Sequence, residues 1–184
     1  MSALGRRRFL ALSAAAGIGA AVRARAQGGK PMLTRRIPRS GEALPVIGLG
    51  TWQTFDVGPT PEERAPRREV LRAFLGAGGR VIDSSPMYGR AEEVTGDLLA
   101  ELPGAPAPFL ATKVWTRGKA AGEAQIGESF RRLRAPVIDL LQVHNLLDWE
   151  THLPALRDLR AAGKIRHLGI THYATSAFGE MERL

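Results

Sequence analysis

The sequence contains no cysteine. That excludes a disulfide framework, a zinc–thiolate site and a cysteine nucleophile. It contains no Gly-x-x-x-x-Gly-Lys phosphate loop. The one Gly-x-Gly that opens a candidate strand, Gly48-Leu49-Gly50, is not a dinucleotide fingerprint, because Gln53 stands where the third glycine would be. The longest mostly apolar run, Phe9 to Val22, is 14 residues, short of the roughly 20 that span a bilayer. What is present is 44% hydrophobic and 24% charged over 184 residues, the balance of a globular chain rather than a disordered one.

The formal net charge of +8 invites a nucleic-acid reading until the charges are located. The N-terminus reads Arg6-Arg7-Arg8-Phe9-Leu10, then the short apolar run, then Arg23-Ala24-Arg25-Ala26. A charged n-region, a short h-region and an A-x-A site make a signal peptide, and arginines directly before Phe-Leu make it a twin-arginine one. Cleavage is expected after Ala26, with the twin-arginine translocase as a partner during export and a periplasmic or otherwise exported product. An uncleaved amphipathic helix or anchor is the alternative. Removing residues 1–26 takes away five of the 26 basic residues and none of the 18 acidic ones, which leaves +3. No basic stretch interleaved with aromatics remains, so no nucleic-acid partner is expected, nor a stable membrane span after cleavage. Arg131, Arg132 and Arg134 read as the solvated face of a helix.

Residues 27–45 are polar, and Ser40-Gly41 between short extended runs predicts a small hairpin. From Val46 an alternation begins. Strands are expected at 46–52, 80–84, 109–115, 137–143 and 165–171. Helices are expected at 62–77, 91–102, around Ile126, Phe130 and Leu133, at 154–162 with Pro154 in the first turn, and at 175–184. Five strand–helix units about 30 residues apart are the signature of parallel βαβ construction. The fold class is therefore α/β. The expected architecture is a (β/α)₈ barrel family with about the first five units present over 46–184, since a complete barrel needs about 250 residues.

What ends each strand carries the functional reading. The second strand ends in Asp83, the third in Lys113, the fourth in His144, the fifth in Thr171-His172. Barrel enzymes place their chemistry at the C-terminal ends of parallel strands. Each residue also has a plainer explanation: Asp83 as a turn cap, Lys113 as a solvated strand end, His144 as a core histidine. Their coincidence on one rim favours a site. Asp83, His144 and His172 could in principle hold a metal, but no His-x-His pair follows the first strand and Lys113 would oppose a cation, so no metal is expected. His152 and His167 read as structural.

The segments Asp83-Ser84-Ser85-Pro86-Met87-Tyr88-Gly89, Ala111-Thr112-Lys113-Val114-Trp115 and Leu141-Gln142-Val143-His144-Asn145 resemble, in this order, the active-site segments of the aldo/keto reductase family. Gly48-Leu49-Gly50-Thr51-Trp52 and Gly169-Ile170-Thr171-His172-Tyr173 also fit that pattern. The resemblance implies an NADP(H)- or NAD(H)-dependent reductase of a small carbonyl substrate with an Asp83–Tyr88–Lys113–His144 tetrad. Tyrosine is a reluctant acid, with an ordinary pKa near 10, and an adjacent ammonium favours its phenolate. Tyr88 is thus implied as general acid, Lys113 and Asp83 as its electrostatic support, and His144 as the group that orients the carbonyl oxygen. Thr51, Asp83, Thr171 and His172 are implied at the nicotinamide end of the cofactor, with His172 where the family usually has asparagine. Trp52 and Trp115 are implied as apolar pocket walls; ordinary core is their plainer role.

The resemblance also implies three strand–helix units beyond the five seen, which in the family supply most of the grip on the cofactor phosphates. An alternative expectation follows: an inactive, truncated half-barrel, either a remnant or an assembly or binding module.

Overall fold

The computed structural model describes residues 32–184. The expected signal segment and its cleavage point after Ala26 lie outside the described residues. The first described elements are two short strands, β1 (Thr34–Arg36) and β2 (Ala43–Pro45), paired antiparallel with Arg35 opposite Leu44. Gly41 closes their turn at φ +72°, a conformation that glycine adopts without a Cβ penalty.

Five parallel strands follow in sequence order: β3 (Gly48–Gly50), β4 (Val81–Asp83), β5 (Phe109–Val114), β6 (Ile138–His144) and β7 (Ile165–Thr171). Four helices connect them: α1 (Pro61–Gly76), α2 (Ala91–Ala100), α3 (Lys119–Leu133) and α4 (Trp149–Ala161). Each helix packs on the next, α1 on α2, α2 on α3, α3 on α4. This is the layered arrangement that right-handed crossovers give when all helices lie on one face of the sheet. The expected α/β class with about five units of a (β/α)₈ barrel is what the chain forms.

Local chemistry explains the boundaries. Thr60 and Glu63 make a capping box at the start of α1, with Pro61 at its first position. β5, the middle strand of the five, is buried along its whole length. Along β6, Leu141 and Val143 are buried while Leu140, Gln142 and His144 are half-buried, so Leu141 and Val143 face the helix layer and Gln142 and His144 the other side. Two apolar clusters fill the space beneath the helices. Phe55, Leu71, Ile82, Val94 and Leu98 form one, and Val114, Ile126, Leu141, Leu156 and Ile165 belong to the other; Ala135 packs against both.

Three expectations are corrected. Val46 is not part of the first parallel strand; its amide donates to Leu33 O at 2.9 Å, which fastens it to the hairpin. α4 begins at Trp149, so Pro154 lies at the sixth helical position rather than in the first turn. Asp148 starts this helix earlier, accepting from Thr151 Oγ1 at 2.8 Å. α1 tolerates Pro66 at the same sixth position. The final expected helix is a 3₁₀ turn, Thr175–Ala177, followed by one α turn, α5 (Phe178–Met181); none of their residues is buried, so little packing energy supports a longer helix there.

The hairpin is tied to the N-terminal end of the sheet. Glu42 accepts from Arg166 at 2.7 Å and lies 3.0 Å from His167 Nε2. Arg166 also pairs with Asp139 at 2.5 Å, whose other oxygen accepts from the Leu110 amide at 2.8 Å. The opposite end of the sheet is left for the site.

Gly96 fixes the contact of α2 with α3. A Cβ there would collide with the Arg132 carbonyl oxygen, a backbone atom with no room to yield. Gly96→Ala is expected to destabilise the fold by about 1–3 kcal/mol, read as a lower urea midpoint at unchanged slope. An unchanged midpoint would show that the two helices are not in fixed contact.

Candidate active site

The candidate site is built on the C-terminal ends of the five parallel strands. Strand register sets its spacing: Asp83 ends β4 opposite Ala111, Lys113 lies opposite Gln142, and His144 ends β6 opposite Thr171. Lys113 and Thr112 point to opposite faces of β5, as neighbours in a strand must. Lys113 thereby enters the inner side, where it is only 4% exposed.

An ammonium so enclosed needs oxygen partners. Lys113 Nζ donates to Asp83 Oδ2 at 2.7 Å and to the Ser84 carbonyl oxygen at 2.7 Å. The Asp83 side chain keeps 38% of its surface in solvent, so this pair is half-open rather than fully desolvated. Lys113 Nζ also stands 5.0 Å from the centroid of the Tyr88 ring. Tyr88 is held by a turn, its amide donating to Ser85 O at 3.0 Å and its carbonyl accepting from the Ala91 amide at 3.1 Å. Asp83, Lys113 and Tyr88 are thus brought together.

His144 joins them across the strand ends. Its Nδ1 is buried with no hydrogen-bond partner in the protein. Burial holds its pKa below the usual histidine value, and the Lys113 charge lowers it further, against an opposing pull from Asp83. His144 is therefore a neutral ring at neutral pH.

The residues expected beside the cofactor divide. Thr51 is wholly buried, and its hydroxyl is engaged with Asp83 O at 3.1 Å and Ser84 Oγ at 2.9 Å. It anchors the loop after β3 to the end of β4. Thr171 ends β7. His172 follows it, and its Nδ1 accepts from the Ala174 amide at 2.9 Å, which leaves Nε2 to carry the ring proton in the neutral form. Trp52 is 61% exposed and its ring lies 6.4 Å from that of Tyr88. Trp115 is exposed at the end of β5, and Tyr173 is exposed at the end of β7. Neither tryptophan is core; both stand on the rim.

Four neighbours of the site had no role assigned from the sequence. Ser84 contributes its carbonyl to Lys113, which a side-chain pattern cannot announce. Asn145 and Leu146 both adopt positive φ, +55° and +53°, an unusual conformation for residues with side chains that turns the chain sharply after His144. Glu92 is fully buried behind β5, where its Oε1 accepts from Thr112 Oγ1. His152 and His167 are structural, as expected: His152 Nε2 meets Thr116 O at 2.8 Å, and His167 meets Glu42. Arg131 and Arg132 pair with Glu128, and Arg134 pairs with Asp97. Among the described residues, no helix is long and apolar enough to cross a membrane.

The family model described as Aldo/keto reductase family matches residues 46–183. The methylglyoxal reductase YeaE of Escherichia coli (strain K12) is 32% identical over 160 residues, covering 83% of this chain and 55% of its own. The aldo-keto reductase YhdN of Bacillus subtilis (strain 168) is 34% identical over 145 residues, covering 70% and 43%. Among solved structures, an aldo-keto reductase from Klebsiella pneumoniae in complex with NADPH is 32% identical with a TM-score of 0.65, covering 83% of this chain and 54% of that one. The chain spans about half the length of the curated relatives it matches.

The lowered His144 pKa has a measurable consequence. Below the unfolded histidine value, about 6.5, the unfolded chain binds a proton that the folded chain resists. Stability contributed by neutral His144 is present above that value and is lost as pH falls through it towards the folded pKa. His144→Gln is expected to flatten this part of the stability–pH curve, measured by urea unfolding at a series of pH values. A curve with the same slope as wild type would exclude His144 as its source.

Proposed function

The chain belongs to the aldo/keto reductase family, and on that premise we propose that it reduces an aldehyde or ketone to the alcohol with NADP(H) or NAD(H). The observation that carries the proposal is the enclosed Lys113 ammonium held by Asp83 and facing the Tyr88 ring.

The residues present suit the nicotinamide end of such a cofactor. His172 has one ring nitrogen engaged by the backbone and the other left as a donor. The buried Oδ1 of Asn145 and the buried Nδ1 of His144 are without partners in the protein. Thr171 and His172 would hold the carboxamide, and Asp83, fixed by Thr51, would lie beside the ring. The cofactor, when bound, supplies the hydride. The carbonyl oxygen must then gain a proton, and Tyr88 is the acid placed to give it. The nearby Lys113 charge stabilises the phenolate that remains, which regains its proton from solvent. A neutral His144 donates a hydrogen bond to the carbonyl oxygen and orients it without adding a second positive charge. Trp52 and Trp115 offer apolar walls to the substrate.

Two further readings belong to the proposal. The Arg6-Arg7-Arg8-Phe9-Leu10 segment supports export through the twin-arginine translocase, with Gln27 as the first residue after cleavage. The alternative of an inactive half-barrel, serving as a remnant or as an assembly or binding module, has no observation in the site that favours it over catalysis.

Tyr88→Phe is expected to lower NADPH-dependent reduction of a simple aldehyde by at least ~10²-fold, the scale of a general acid's contribution, with an unchanged circular dichroism spectrum. Turnover retained in that variant would remove Tyr88 from its role.

A further inference from the structure

Glu92 is a fully buried carboxyl that the proposed reaction does not use. It lies in the first turn of α2, on the opposite side of β5 from the candidate site. Its Oε1 accepts from Thr112 Oγ1 at 2.6 Å, itself a buried contact. Its Oε2 is buried without a hydrogen-bond partner and lies 3.8 Å from Arg132 Nη1 of α3. Ser129 Oγ, also unpartnered, borders the same carboxyl. Burial pushes the Glu92 pKa up. A carboxyl in this position costs free energy that an apolar side chain would not. Its location suggests what that cost secures.

The links on either side are short. Tyr88 O accepts from the Ala91 amide, which ties the tyrosine to the first turn of α2. Glu92 is the next residue. Thr112, its partner, is the residue before Lys113. Two backbone neighbours and two hydrogen bonds therefore join the element that carries Tyr88 to the strand that carries Lys113. Gly96 completes the clamp one turn later by allowing the Arg132 backbone of α3 to approach.

We propose that Glu92 is a positioning residue: its bond to Thr112 sets the placement of Tyr88 relative to Lys113. The inference rests on the reductase reading only for the importance of that pair. The placement itself is a property of the free protein. A directional hydrogen bond fixes the offset between α2 and β5 along the strand, whereas apolar contacts at the same spot would tolerate sliding. Small displacements matter there, because misplacing a catalytic group by about 1 Å can cost ~10²-fold in rate.

The test compares three variants of the full chain by NMR, without cofactor or substrate. E92Q keeps an acceptor for Thr112. T112V removes the donor at constant shape. E92L/T112V replaces the hydrogen-bonded pair by an apolar one and leaves neither group orphaned. The readout is the nuclear Overhauser effect between the Lys113 side chain and the Tyr88 ring, with urea unfolding measured in parallel. The contact is expected to persist in E92Q and to weaken in T112V and in E92L/T112V, even where the double variant is as stable as wild type. An undiminished contact in T112V or in a folded E92L/T112V would overturn the proposal and leave Glu92 a purely structural group. Should the double variant fail to fold, T112V alone decides. Absence of reductase activity would count against the proposed function and would leave this result standing.

Discussion

An ammonium taken out of water loses hydration worth on the order of several kcal/mol, and Lys113 recovers it from two oxygens at 2.7 Å. Both oxygens come from consecutive residues at the end of β4. That single requirement dictates much around it. β4 and β5 must be adjacent and in a register that brings Asp83 level with Ala111. The chain after Asp83 must turn so that the Ser84 carbonyl faces inward, and Thr51 secures that turn from β3. Tyr88 then arrives over the same charge. The pair remains half-open through Asp83, so it supports the site without the full penalty of a dry ion pair.

Stability and chemistry occupy different parts of the sheet. The apolar clusters lie on the helix face, and the Glu42–Arg166–Asp139 network ties the hairpin to the N-terminal strand ends. The C-terminal ends carry what a stability argument would avoid: a buried lysine, a buried histidine nitrogen without a partner, and two residues with positive φ after His144. Concentrated cost of this kind marks functional rims. Glu92 extends the pattern one layer outward. It spends burial energy behind the strand to govern what lies in front of it.

The parallel order and the five strands were legible in the sequence because short apolar or β-branched runs alternate with helical segments about every 30 residues. Their strand-end positions put Asp83 and Lys113 on one rim, whereas their pairing was implied only by the family resemblance. Other features were not legible. The start of α4 is set by Asp148, which accepts from both Thr151 and the Gly118 amide, and no local pattern reveals the second of these. The last expected helix had periodicity but no surface to pack on. Glu92, a first-turn acid beside Glu93, was not singled out in the sequence. Only its spacing to Thr95 and Gly96, on a helix face with little charge, hinted that it turns inward. The Ser84 carbonyl left no trace at all, because backbone groups are invisible to residue patterns.

The proposed reaction depends on the enclosed lysine, the aspartate that holds it and the tyrosine beside it acting together in hydride-coupled reduction of a carbonyl. The direct test is to incubate the protein with NADPH carrying deuterium at both C4 positions and a simple aldehyde, and to analyse the alcohol by mass spectrometry. Deuterium is expected on the carbinol carbon of alcohol formed by wild type, and not with Lys113→Met. Alcohol formed without deuterium, or label transfer undiminished in Lys113→Met, would contradict the proposed reaction.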